Sequence, residues 1–118
     1  MIIIIDFGSQ STHLISRRIN EFGVRTKIIL PDEKVLAVAQ DAQGIILSGG
    51  PSSVYEKDAP TVDAKIFQLG LPILGICYGQ QLMSHLLNGD VKPGKIREYG
   101  PANMTVKKDS KLLENTSY

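Results

Sequence analysis

Between Leu71 and Gln81 an apolar run, Leu71-Pro72-Ile73-Leu74, ends in Gly75-Ile76-Cys77-Tyr78-Gly79 and passes directly into the amphipathic stretch that starts at Gln80-Gln81. A Gly-x-Cys-x-Gly at that junction calls for a strand, a sharp turn and a helix. The glycines are needed because neighbouring side chains would clash as the central residue is pushed out of the sheet. This is the layout of a nucleophile elbow with a thiol at the reactive position. The helix that follows points free N–H groups and its positive dipole end at the sulfur, which stabilises negative charge there. A small buried hydrophobe at a strand end is the competing reading of a lone cysteine.

The rest of the chain repeats the strand-to-helix alternation. Ile2 to Ile5 is a β-branched run with no polar alternation, as expected of a strand covered on both faces of a parallel sheet. Ser9 or Ser11 is a candidate cap for a helix with Ile15, Ile19 and Phe22 on one stripe, closed by Gly23. Val24 to Leu30 alternates more, which suits a strand near the sheet edge. Pro31-Asp32 opens a short helix through Val35, Val38 and Ala39. Gly44 to Ser48 is a third apolar strand, broken by Gly49-Gly50-Pro51. Val62, Ile66 and Leu69 stripe a further helix closed by Gly70, and Pro72 to Ile76 is a fourth strand. Leu82/Leu86 and Met83/Leu87 are i, i+4 pairs on the elbow helix, which Asn88-Gly89 ends. Beyond Lys92 the sequence is more polar, with Lys95 to Tyr99 and Met104 to Val106 as candidate strands of an antiparallel appendage.

Repeated βαβ units predict one α/β domain over residues 1–118, an open, doubly wound, mostly parallel sheet of flavodoxin-like kind. In such sheets ligands sit beyond the carboxyl ends of the strands. Three loops are expected there: Asp6-Phe7-Gly8-Ser9-Gln10, Ser48-Gly49-Gly50-Pro51-Ser52-Ser53 and the Cys77 turn.

Composition narrows the function. A net charge of +1, with both signs interleaved, gives no footprint for nucleic acid or a membrane surface. One cysteine and two histidines exclude a disulfide framework and leave no metal-ligand cluster. The opening lacks a basic n-region and meets Asp6 at once, so a cytoplasmic setting is expected.

The residues also carry a family resemblance. Asp6-Phe7-Gly8-Ser9-Gln10, Ser48 to Tyr55, Gly75 to Gln81 and Arg97-Glu98-Tyr99-Gly100 together resemble class I glutamine amidotransferases. Within that family they are most similar to the glutaminase domain that opens GMP synthases, in its fused bacterial form. The resemblance implies that Cys77 attacks the carboxamide of L-glutamine, releases ammonia and leaves a glutamyl thioester for water. It also implies an oxyanion hole built from the backbone N–H of Tyr78 and one from the Gly49-Gly50 turn, with Gly50 as donor and Gly49 beside the substrate. Gln81, one helical turn beyond the nucleophile, matches a substrate contact. No cofactor is expected in this domain. ATP and Mg belong to a synthetase (ATP pyrophosphatase) domain that takes the ammonia and aminates XMP to GMP. A homodimer is left open.

Departures from the family pattern are as informative. The family supplies its general base and orienting carboxylate as a His-x-Glu pair late in the domain, and a Ser-His-Gly-Asp segment that helps bind glutamine; neither occurs here. His13 is followed by Leu14, and His85 lies two helical turns past Cys77, roughly 12 Å along the axis at 1.5 Å per residue. The chain is therefore expected to be a piece of the domain with negligible glutaminase activity alone. Ser11 stands where the family usually has an aromatic residue. The competing classes are the glutaminase subunits of anthranilate, carbamoyl phosphate or CTP synthesis, a redox or hydrolytic cysteine-elbow protein, and a flavodoxin-like binding module using the Asp6 to Gln10 loop. The last has weak support, because a phosphate-binding fingerprint carries more glycines.

Overall fold

The computed structural model describes residues 1–32, 34–92 and 111–114. Four strands form one sheet: β1 (Ile2–Ile5), β2 (Thr26–Ile29), β3 (Gly44–Leu47) and β4 (Ile73–Gly75). Their order is β2-β1-β3-β4, and every neighbouring pair is parallel. Ile4 stands beside Ile28 on one side and Ile46 on the other. This is the open doubly wound sheet that the alternation predicted, and β2 lies at its edge as its more alternating sequence suggested.

Among the described residues, α1 (Thr12–Asn20) connects β1 to β2, α2 (Val35–Ala39) connects β2 to β3, and α3 (Tyr78–Leu86) follows β4. Ile3, Ile5, Ile45 and Leu47 point into the main core with Val35, Ala39, Ile66, Tyr78 and Leu82. That face is covered by α2, α3 and the segment before β4. α1 contributes nothing to this cluster and lies on the opposite face, against β2 and the other side of β1. Right-handed crossovers require this division, because β1 to β2 and β2 to β3 step across the sheet in opposite senses. On the α1 face, Ile2, Ile46 and Leu74 line an apolar groove of about 660 Å³ with Ile19, Phe22 and Leu112.

Several details differ from the sequence expectation. Phe22 does not join the buried stripe of α1 and is 85% exposed. The helix ends at Asn20, and the turn that closes it (Gly23 N–H to Asn20 O, 2.9 Å, with Gly23 at φ +77°) takes Phe22 off the helical period. Ser11 is the N-terminal flanking residue, but no side chain caps the helix; Ser9 Oγ accepts from the Ser11 N–H instead (3.0 Å). Of the Val62, Ile66, Leu69 stripe only Ile66 lies within a helix, the five-residue 3-10 helix Ala64–Gln68, entered from Asp63, whose side chain accepts from Lys65 N–H. Val62 is buried from the extended segment before it, so the i, i+4 spacing does not lie on one helix. Leu87 is exposed, because α3 stops at Leu86 and Asn88 turns left-handed at φ +68°. The candidate strands Lys95 to Tyr99 and Met104 to Val106 lie outside the described residues, as does Arg97 to Gly100.

Candidate active site at the carboxyl ends of β1, β3 and β4

The sheet order changes direction at β1, so the crevice between the carboxyl ends of β1 and β3 is the switch point where this fold places ligands. The loops after these two strands and after β4 meet there. Their approach is so close that three glycines are fixed by contact. A Cβ on Gly50 would lie 2.1 Å from the carbonyl oxygen of Phe7. One on Gly79 would lie 2.0 Å from the carbonyl oxygen of Leu47, and one on Gly75 would lie 2.7 Å from Gln80 Cα. Real carbon contacts never come so near, so glycine is required by space rather than by turn geometry alone.

Cys77 stands between Gly75 and Gly79 at φ +53°, ψ −119°. A non-glycine residue there is strained by about 1–3 kcal/mol, a cost that persists only where the surroundings over-determine the backbone. They do so here. Ile76 N–H bonds Leu47 O (2.9 Å), Gly79 N–H bonds Ser48 O (3.1 Å), and Gln80 and Gln81 N–H both bond the carbonyl of Cys77 (3.0 and 3.2 Å). The strain pushes the thiol out of the sheet, and Cys77 is exposed and unpaired. Tyr78 opens α3, so its backbone N–H has no acceptor within the helix.

Gly49 faces this thiol. The position of its absent Cβ is 3.2 Å from Cys77 Cβ and 3.6 Å from Ser9 Cβ, so the β1, β3 and β4 loops converge on one point. Gln81 lies on the next turn of α3, and its Oε1 is buried without a hydrogen-bond partner among the described residues. All five residues singled out from the sequence, Cys77, Gly49, Gly50, Tyr78 and Gln81, thus belong to this one neighbourhood. His13 and His85 are both exposed. His85 lines a separate cavity of about 300 Å³ on the flank of α3 with Tyr78, Leu82 and Glu56.

Sequence reading passed over two supporting features. The side chain of Tyr78 is 2% exposed; its hydroxyl donates to Pro60 O and its ring packs edge-on against Phe7 at 5.2 Å. It ties the 54–60 loop and the β1 loop to the start of α3. Burial raises the Tyr78 hydroxyl above its ordinary pKa of 10.0, and the negative charge of Glu56 raises it further. The stabilising contribution of neutral Tyr78 is therefore complete below about pH 10 and is lost as pH rises through the raised value. Tyr78→Phe is expected to cost about 1 kcal/mol at neutral pH and to flatten the fall in stability above pH 10, measured by urea denaturation across pH. The second feature is a polar chain, Asp6–Thr12–Ser48, that runs from the half-buried Asp6 to the buried Thr12 and Ser48. Thr12 Oγ1 donates to Asp6 Oδ1 (3.2 Å) and meets Ser48 Oγ at 3.0 Å. Polar residues immediately after two all-apolar strands were the available signal.

The model for class I glutamine amidotransferases matches residues 3–118. The chain belongs to this family. Among curated proteins it is 50% identical over 118 residues to the GMP synthase [glutamine-hydrolyzing] of Enterococcus faecalis, covering 98% of this chain and 22% of that protein. It is 55% identical over 116 residues to that of Campylobacter jejuni subsp. doylei (97% and 22% covered) and 51% identical over 118 residues to that of Kluyveromyces lactis (99% and 22%). The chain thus spans about a fifth of the length of these relatives. A solved Thermoplasma acidophilum structure, provisionally described as a GMP synthase subunit, superposes with a TM-score of 0.70 at 32% identity, over 84% of this chain and 50% of that one. Among the described residues no group of three or more His, Cys, Asp or Glu could hold a metal, and no helix is long and apolar enough to cross a membrane.

Proposed function

We propose that this chain is the nucleophile-bearing part of the glutaminase domain of a GMP synthase. The observation that carries the reading is the strained, exposed Cys77 at the start of α3, set against the Gly49 turn.

Cys77 Sγ attacks the side-chain carbonyl carbon of L-glutamine. The new S–C bond opens the C=O π pair onto oxygen, where the N–H groups of Tyr78 and Gly50 hold the negative charge. Collapse of this intermediate breaks the C–N bond, and ammonia leaves carrying the thiol proton. Water then hydrolyses the thioester to glutamate and restores the thiol. Gln81 Oε1, a buried acceptor without a donor, takes an N–H of the bound substrate and loses its desolvation penalty in doing so. Ammonia passes to a synthetase (ATP pyrophosphatase) domain, which uses ATP and Mg to aminate XMP to GMP. That domain is the partner of this one, in a cytoplasmic enzyme.

Neither histidine of the chain meets the thiol as a general base would, so the 118-residue chain is expected to be alkylated at Cys77 without turning glutamine over. Treatment with a glutamine-like chloroketone, followed by mass measurement, should show one adduct on Cys77, with ammonia release at background. Iodoacetamide labelling that proceeds normally while the chloroketone shows no preference for Cys77, and no protection by glutamine, would remove glutamine as the substrate.

A further inference from the structure

We propose that Thr12 and Ser48 are positioning residues that hold the Gly49–Gly50 peptide with its N–H toward the reacting oxygen; the proposal rests on the glutaminase reading above. They are the two polar side chains among the described residues that are 0% exposed. Hydroxyls buried so deeply are costly unless paired, and here each is paired toward the site. Ser48 Oγ donates to the carbonyl of Gly49 at 3.4 Å and meets Thr12 Oγ1 at 3.0 Å; Thr12 Oγ1 donates to Asp6 Oδ1 at 3.2 Å. Asp6 Oδ1 is itself fixed by the Gly8 N–H at 2.8 Å.

The described peptide bonds are all trans, so the Gly49 C=O and the Gly50 N–H point in opposite directions. A carbonyl drawn inward to buried Ser48 turns the N–H of the same peptide outward, on the turn that faces Cys77. The chain has three contacts and two hydroxyl protons. A carboxylate only accepts, so Thr12 donates its O–H to Asp6, and Ser48 shares its own O–H between Thr12 and the Gly49 carbonyl. When an oxyanion polarises the Gly50 N–H, the Gly49 oxygen becomes the stronger acceptor and draws the Ser48 proton. The relay thus responds to charge that exists only as the tetrahedral intermediate forms. Ser48 also accepts the Gly79 N–H through its own carbonyl (3.1 Å), so one residue ties the Gly49–Gly50 turn to the start of α3.

The test uses the full-length protein and the variants Ser48→Ala, Thr12→Val and Thr12→Ser. Direct loss of an oxyanion donor costs about 10²–10³ in kcat. Loss of its orientation is expected to cost about ten- to a hundredfold in kcat for Ser48→Ala and Thr12→Val, with the glutamine KM within twofold. Thr12→Ser, which keeps the hydroxyl, should stay near wild type. Glutamate γ-semialdehyde, which adds reversibly to the thiol and places its oxygen where the oxyanion forms, should lose affinity in proportion to kcat. Unchanged kcat in both hydroxyl-deleting variants overturns the proposal, as does a loss of semialdehyde affinity matched by an equal rise in KM. If Ser48→Ala fails to fold, the Thr12→Val and Thr12→Ser pair decides alone. Turnover that persists in Cys77→Ala would instead sink the glutaminase reading.

Discussion

On the proposed glutaminase reading, glutamine hydrolysis by the full-length protein is expected to fall by about six orders of magnitude when Cys77 is replaced by alanine, as when the nucleophile of a comparable triad is removed. Residues 1–118 hold no second cysteine to take over at this turn. What survives should be the residual rate that oriented amides and substrate binding give to water, about 10³–10⁴ above the uncatalysed reaction. Stability should respond differently. The thiol is exposed and makes no buried contact, so Cys77→Ala should leave the urea midpoint nearly unchanged. Cys77→Gly should raise the unfolding free energy by about 1 kcal/mol relative to Cys77→Ala, and the midpoint with it, because glycine relieves φ +53° without strain. An inactive protein that is also more stable would identify that strain as a cost of placing the nucleophile. A midpoint that falls in Cys77→Gly would mean the backbone at this turn is not held as described.

Gly79→Ala is expected to destabilise the domain by about 3 kcal/mol or more, at or beyond the upper end of ordinary overpacking. The added methyl would lie 2.0 Å from Leu47 O, 2.5 Å from Leu47 C and 2.7 Å from Leu47 Cβ. Two of these atoms are backbone in the middle of the sheet, so no side chain can rotate away. Relief requires α3 to lift off β3, which breaks the Gly79 to Ser48 hydrogen bond and moves Cys77 away from Gly49. Against a typical stability of about 5–15 kcal/mol, that is a large share. Gly70→Ala is the control. It has nothing within 4 Å, so its cost is only that of a side chain at φ +74°, about 1 kcal/mol. Urea midpoints measure the difference, and the chloroketone labelling rate should fall with Gly79→Ala only. Equal midpoints for the two variants would contradict the docking of α3 on β3.

The parts of this molecule that were legible in the sequence are those whose signal is local. Ile2 to Ile5 and Gly44 to Ser48 read as strands because a short apolar run fits nothing else between turn signals, and the second ends one residue earlier, at Leu47. The Cys77 turn read as an elbow because glycines at −2 and +2 leave few other conformations. Where the local signal was followed too far, it failed. Phe22 and Leu87 continue a helical spacing past the point where the backbone leaves the helix, and both are exposed. The Val62 to Leu69 stripe has the right spacing for an α-helix, yet Asp63 starts a tighter 3-10 turn after Val62 is already buried. Tyr78 was read for its amide alone. Its side chain carries contacts with Phe7 and Pro60, 71 and 18 residues away, and no local pattern encodes such partners.

By itself the sequence determined the alternation of strands and helices, the parallel class of the sheet, the position of the candidate nucleophile and the family that these residues resemble. Each follows from residue order within a dozen positions, through side-chain period, turn chemistry and motif spacing. Only the tertiary structure decided that Gly49 faces Cys77, that Gly50 and Gly79 are required by the carbonyls of Phe7 and Leu47, and that Asp6, Thr12 and Ser48 join into one hydrogen-bonded chain. Those facts depend on how β1, β3 and β4 align side by side, which is set by packing and sheet register across separations of up to some seventy residues. Distances of that kind are fixed by the whole core at once, and no segment carries them alone.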